Sequence, residues 1–393
     1  MKVVHIMQDT AFTRDIVSFY DAFFDVYEHG ILYLTEKGSP SLIDSTIHIG
    51  QQEIYVESKK YIKVFNRSFR FPPSIYCATQ LAKLIINLDC DYIVMHSLFC
   101  PNLFTQFFLS LNKDFLRKMV WIAWGGDLDT WKPCGIRSIL INAFRRLRTK
   151  CNTVVCIFPP DCDVYKTAFP NSQAHVFYAP YCGAAIPEEY KSYRSVSRLE
   201  QTIKEKDYVF VQIGHSATPE LKHIAVLEKL SRYKEENIKL LIPLSYGDKD
   251  YADMVEKKAK EIFGNKAVIL KEFMPAREYF ALTKRVDIAI FNTYRQIGLG
   301  NINRLLFRNV KTYMPENSVM YNYFTETGVP VQKLSDLDNI SFAEFSKPVK
   351  TKDEEAFMKY IDSLSDKELH VRLWQNVYDD LRNRLSENKK IKE

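Results

Sequence analysis

Six short segments of this 393-residue chain pair polar side chains with the end of an apolar run. In WIAWGGDLDTW, Asp127 and Asp129 follow two glycines. One carboxylate there could act as a general base, or the pair could hold a divalent metal on a diphosphate. The structural alternative is a helix cap. In IVMHSLFCPN, His96 closes its apolar run and is followed by Ser97 and Asn102; an imidazole in that place can accept a substrate proton. Outside these six segments, Asp9 follows the first apolar run, MKVVHIMQ, and is a third candidate, whereas His5 lies inside that run and reads as a core histidine.

The other segments suit an anion rather than a proton. In FNTYRQIGLGNINRLL, Arg295, Gln296, Gly298, Gly300 and Asn301 combine a guanidinium, two glycines and a helix start. Arginine binds phosphate bidentately, and free N–H groups at a helix start attract it. In YVFVQIGHSATPELKH, Gly214 permits a tight turn before His215, Ser216 and Thr218, and a helix is expected with Pro219 near its first turn. In LLIPLSYGDKDY, Ser245 and Tyr246 offer a hydroxyl and an aromatic to a nucleotide or sugar, or a plain turn. In VILKEFMPAREYFALT, the strand is expected to end at Lys271–Phe273, where a nucleobase could stack.

The elements that must position these groups alternate. Apolar strands ending in polar loops are each followed by a helical pattern, which indicates α/β architecture with mostly parallel sheets. The rhythm lapses in IPEEYKSYRSVSRLEQTIKEKD and then resumes. Residues 1–185 are therefore read as an amino-terminal domain and 186–206 as a linker. Residues 207–345 are read as a second domain and 346–393 as charged carboxyl-terminal helices. In open parallel sheets ligands bind beyond the carboxyl ends of the strands, where all six segments fall.

Composition excludes several classes. With 46% hydrophobic and 26% charged residues the chain is a folded globular protein, and its length exceeds one ordinary core. The net charge of +6 permits an anionic partner, but without a long basic stripe it does not favour nucleic acid. Eight cysteines without a CxxC pair fit reduced thiols better than a zinc site or disulfide framework. The start lacks a secretory pattern, and no run approaches about 18 uninterrupted apolar residues, so a cytoplasmic protein is expected.

Taken in order, the segments resemble the bacterial TDP-4-acetamido-4,6-dideoxygalactose (Fuc4NAc):lipid II transferases, also called 4-α-L-fucosyltransferases. The matching residues are His96 and Phe99; Trp124, Gly125, Asp127 and Leu128; Gly214, Ser216 and His223; and Pro243 and Tyr246. Glu272, Phe273 and Tyr279, in a segment one residue longer than the family's, then Arg295, Gln296, Gly298 and Gly300, continue the series. The resemblance implies a GT-B fold of two Rossmann-like domains facing a cleft, the first taking the acceptor and the second the nucleotide-sugar.

It further implies an inverting, metal-independent hexosyltransferase at the inner face of the cell membrane. The donor would be a nucleoside-diphosphate sugar. The acceptor would be an undecaprenyl-diphosphate-linked saccharide used in surface polysaccharide synthesis. On this reading Asp127, His96 and Asp9 are the catalytic candidates. Gly214, Ser216, His223, Ser245, Tyr246, Phe273, Tyr279, Arg295, Gln296, Gly298, Gly300 and Asn301 are the donor contacts, and neither metal nor cofactor is expected. A sugar-nucleotide epimerase, or a glycosyltransferase with another donor and acceptor, are the competing functions. Contact with the membrane surface is expected through Phe65–Tyr76 or Ile136–Lys150, the second carrying Arg145, Arg146, Arg148 and Lys150 beside apolar residues.

Overall fold

A computed structural model describes residues 1–8, 11–34, 75–99, 101, 103–128, 145–181, 207–349 and 354–390. Asp9, Asn102, Asp129 and the segments 65–74 and 136–144 lie outside the described residues. The chain divides into two compact units, Met1–Ala184 with Asp366–Glu393, and Ala185–Ser365.

In the first unit, β1 (Lys2–Gln8), β2 (Glu28–Leu34), β3 (Tyr92–His96), β4 (Met119–Ala123), β5 (Thr153–Cys156) and β6 (His175–Tyr178) form one parallel sheet. Their order is β2-β1-β3-β4-β5-β6. β3 and β4 are buried along their whole length, as apolar runs covered on both faces must be. One face carries Ile6, Met95, Trp121 and Val154. The other carries Val3, Met7, Val94 and Val120.

Helix α1 (Ala11–Phe23) covers the second face with Ile16, Val17, Phe19 and Tyr20, spaced along one side of the helix. The long terminal helix Lys367–Lys390 joins it through Trp374, Val377, Tyr378 and Leu381, again one helical stripe. Tyr92 Oη donates to Leu381 O at 2.9 Å and Trp374 Nε1 to Pro180 O at 2.9 Å. Residues 346–393 are thus not one segment: the helix Glu354–Ser365 belongs to the second unit and Lys367–Lys390 to the first.

The second unit repeats the plan. β7 (Val209–Ile213), β8 (Ile238–Pro243), β9 (Ala267–Leu270), β10 (Ile288–Ile290), β11 (Lys311–Met314) and β12 (Val331–Lys333) form a parallel sheet. Their order is β12-β11-β10-β7-β8-β9. After β7 comes a 3-10 turn, Pro219–Leu221, and only then an α-helix, His223–Leu230. Pro219, expected near the first turn of a helix, opens this 3-10 turn, and Lys222 takes a left-handed conformation (φ 48°) that separates the turn from the α-helix. The helix after β10 is Leu299–Phe307, with left-handed Gly298 at its amino end.

Candidate active site

In the first unit the loops after β3 and β4 are tied together by Asp127. Its Oδ2 accepts from the Leu98 N–H at 2.9 Å and from Trp121 Nε1 at 2.9 Å, and its Oδ1 accepts from the Trp124 N–H at 2.8 Å. Arg148 Nε donates to the Asp127 carbonyl at 2.9 Å, and its guanidinium lies 5.4 Å from the Trp121 ring centre. Asp127 is 3% exposed. Burial pushes its pKa up, while these donors pull it down. A carboxylate so enclosed and so occupied holds the two loops together.

What Asp127 holds is a strained turn. Ser97 has φ 84°, a left-handed value that a residue with a Cβ seldom adopts. Its N–H donates to Met95 O and to Ile122 O, both at 3.0 Å. Gln106 Nε2 adds bonds to Leu98 O at 2.8 Å and Pro101 O at 2.7 Å. The turn presents His96 at the end of β3.

His96 is 5% exposed and belongs to a row of rings. Its Nε2 lies 2.9 Å from His5 Nδ1, and His5 Nε2 lies 2.9 Å from His29 Nδ1. His29 Nε2 meets Phe24 O at 2.9 Å, and His96 Nδ1 meets Tyr181 Oη at 2.6 Å. Burial lowers all three imidazoles, His96 to about 3, His29 to about 4 and His5 well below its ordinary value. At neutral pH the row carries no charge.

His5, read from sequence as a core histidine, is buried as expected but wired to His96. His29 and Tyr181 drew no notice in the sequence. No motif surrounds them, and only the strand order brings them to His96.

In the second unit the loops after β7, β8 and β10 converge. Gly214, at φ 62°, leaves no room for a side chain: a Cβ there would lie 2.5 Å from His223 Nε2. Ser216 and His223 are fully buried, Ser216 Oγ facing Thr218 Oγ1 at 2.8 Å. Both are expected donor contacts, and both are closed off from solvent here. Tyr279 lies against Gln212, whose Nε2 is 3.4 Å from its hydroxyl, in the wall of the unit.

The groups that face outward are different. Gly300 and Tyr246 are exposed, Ser245 and Asn301 half-buried. Phe273 stands 78% exposed after the edge strand β9. Tyr246 packs edge-on to His215, with ring centres 6.1 Å apart. Arg295 bonds Gln296 O at 3.1 Å and pairs with Glu220 at 3.3 Å. Gln296 is buried, and its Oε1 has no hydrogen-bond partner among the described residues.

Behind Gly298 sits His215, 5% exposed, its pKa lowered to about 4 by burial and by Arg295. The first N–H groups of the following helix have no partner within it. An anion could therefore meet backbone donors, the helix dipole and a guanidinium in one place. Among the described residues no group of three or more His, Cys, Asp or Glu side chains is placed so that it could hold a metal ion.

A family model for 4-alpha-L-fucosyltransferases, glycosyl transferase group 56, matches residues 75–364. Among solved structures, the chain is similar to sucrose-phosphate synthase from Thermosynechococcus elongatus, with TM-score 0.67, 9% identity and coverage of 98% and 100% of the two chains. It is also similar to α,α-trehalose 6-phosphate synthase from Burkholderia multivorans, with TM-score 0.61, 10% identity and coverage of 100% and 98%. A third is HepE from Anabaena in complex with UDP, with TM-score 0.58, 11% identity and coverage of 98% and 100%. These neighbours share the GT-B fold, and the α/β fold expected from sequence is of this type, two Rossmann-like domains.

Proposed function

The chain belongs to the 4-alpha-L-fucosyltransferase family, a glycosyltransferase family, and from that premise we propose that it moves a deoxy-amino hexose of the Fuc4NAc type, with inversion, from a nucleoside-diphosphate sugar to a lipid-linked saccharide. The observation that carries this reading is the seat formed by Arg295, left-handed Gly298 and the helix start at Leu299–Asn301. The seat offers fixed donors to a diphosphate, whose negative charge grows as the sugar leaves. The family resemblance extends across Arg295–Gly300, and the exposed rings of Tyr246 and Phe273 offer faces to a base.

The acceptor half is assigned to the first unit, with His96 as the group that draws the hydroxyl proton. Asp127 positions the His96 turn. No divalent metal is required on this reading, since Arg295 and the backbone N–H groups balance the leaving charge. Association with the inner membrane face is supported by a basic concavity of about 720 Å³ lined by Lys113, Arg117, Arg145, Arg146 and Lys150. It lies beside the residues that enter β4, β5 and β6, at the amino ends of these strands. Among the described residues no helix is long and apolar enough to cross a membrane.

The test is thermal unfolding with UDP, TDP and GDP, then transfer assays with the matching sugars in excess chelator. A ligand bound only by the native state raises the melting temperature. Selective stabilisation and chelator-insensitive transfer support the reading. Transfer restored only by magnesium overturns its metal-independent part, and sugar-nucleotide turnover without acceptor favours an epimerase.

A further inference from the structure

The row of rings in the first unit has one self-consistent arrangement of protons. The Phe24 carbonyl can only accept, so His29 donates to it from Nε2. A neutral imidazole with its proton on Nε2 accepts at Nδ1, so His5 donates to it from Nε2. By the same step His96 donates from Nε2 to His5 Nδ1. His96 Nδ1 is left as an acceptor, and Tyr181 donates to it at 2.6 Å.

The chain thus points the free basic lone pair of His96 at a single group, the Tyr181 hydroxyl. The strand register accounts for the line: Val3 pairs with His29 and Val94 with His5, so three histidines on one face step diagonally across β2, β1 and β3. Trp374 and His96 flank the Tyr181 ring, with centres 5.9 and 5.8 Å away and planes within 24° and 14° of parallel. Tyr181 follows β6 by three residues, on the carboxyl side of the strands, where α/β sheets bind ligands.

We infer that Tyr181 is the residue through which His96 takes the acceptor's proton, with His5 and His29 as positioning residues that fix the His96 tautomer. This rests on the reading above that the first unit activates the acceptor. The acceptor oxygen bonds to the anomeric carbon as the bond from that carbon to the diphosphate oxygen breaks, its electron pair leaving with the nucleoside diphosphate. The hydroxyl proton passes to Tyr181 Oη while the Tyr181 proton passes to His96 Nδ1. The imidazolium keeps its Nε2 bond to His5, and its extra proton returns through Tyr181 to water once product leaves. His5 and His29 stay neutral throughout.

The titratable groups around the row are phenols for the most part. Tyr20 on α1 lies 4.5 Å from His5, ring to ring, while Tyr27 and Tyr378 lie 6.3 and 5.9 Å from His29. Asp21 and the chain's amino terminus act on His29 from a distance, with opposite signs. No cation or carboxylate bonds to the row among the described residues.

The experiment has two arms. In protein labelled with ¹⁵N-histidine at pH 7, His5, His29 and His96 are expected as neutral rings protonated on Nε2. A His96 proton on Nδ1, or a charged ring in the row, overturns the chain whether or not the protein transfers sugar. In the second arm, Tyr181→Phe keeps the ring stack and removes the hydroxyl. It is expected to lower kcat about 100-fold or more, with the donor KM unmoved. An unchanged kcat and pH–rate profile overturn the catalytic role of Tyr181. His5→Asn is expected to return His96 to mixed tautomers in the labelled spectrum and to lower kcat without changing KM; a single Nε2 tautomer in that variant overturns the positioning role. Absence of turnover in the wild type with every donor and acceptor defeats the transfer reading and the Tyr181 step together, while the spectrum still decides the chain by itself.

Discussion

Gly298 lies against the ring of His215 so closely that a Cβ on it would stand 2.5 Å from both Cε1 and Nδ1. The backbone there is left-handed, at φ 69°. Two residues on, Gly300 has nothing within 4 Å of the same position. The two glycines of one motif therefore do different work: one seats the helix on an imidazole, and the other leaves its outer side bare.

Gly298→Ala should displace the helix start and weaken nucleotide binding at least tenfold, since the conformation alone costs about 1–2 kcal/mol. Gly300→Ala should fold as well as the wild type or better, by up to about 1 kcal/mol, because Ala suits a helix. It should still bind nucleotide more weakly, as the added methyl stands where the diphosphate approaches. Calorimetric titration of both variants checks this, and unchanged affinity in Gly300→Ala would place the anion elsewhere.

Arg295→Ala should weaken donor binding about 10- to 150-fold, as expected for a charge-assisted contact of roughly 1.5–3 kcal/mol. Glu220→Gln should strengthen binding a few-fold, because Glu220 pairs with Arg295 at 3.3 Å and competes with the diphosphate for it. Opposite signs in the two titrations are the expected result; equal signs would detach the pair from the donor.

Asp127→Asn puts an amide N–H₂ where the carboxylate accepts from Leu98, Trp121 and Trp124. One donor then faces another in a buried place, at a cost of about 1–3 kcal/mol. The variant should unfold at lower urea concentration and lose turnover through a displaced His96. Wild-type stability with lost turnover would return the base role to Asp127.

Stability should fall in mild acid. His96 is lowered to about 3, and His29, His215 and His223 to about 4, chiefly by burial. The unfolded chain takes up these protons near pH 6.5, so it binds more protons than the native state between that pH and about 4. The stabilisation is complete above about pH 6.5 and is lost as pH falls toward the native values. Each such histidine can remove about 1.4 kcal/mol for every pH unit crossed in that window. Urea midpoints at half-unit intervals of pH check this, and a flat profile from pH 7 to 4.5 would mean that the rings are charged or exposed.

Arg145→Glu with Arg146→Glu and Lys150→Glu should abolish salt-sensitive binding to anionic vesicles, each basic residue contributing about 1 kcal/mol near such a surface. Arg148 is not part of this surface. It is turned inward onto Asp127 and Trp121, so its replacement should unfold the unit rather than release it. Co-sedimentation separates the two, and vesicle binding that survives the triple change would remove the patch from the membrane reading.

Much of this molecule is determined locally. Apolar runs such as YIVMH and MVWIA can be buried only as inner parallel strands, so the α/β plan and the polar residues that close each run follow from the sequence. His96 and the stretch Gly298–Asn301 stand out for that reason. Other features depend on which elements meet. Helical spacing shows that Trp374, Val377, Tyr378 and Leu381 form a stripe, but not that the first sheet receives it. Asp127 reads as an available carboxylate until Leu98, Trp121 and Trp124 close around it. His29, His5 and His96 are far apart in the chain and become one row only because β1 lies between β2 and β3 in a particular register. Local patterning records which side of an element is apolar; the partner of each polar atom on that side is decided by strand order and helix docking, which depend on contacts between distant parts of the chain.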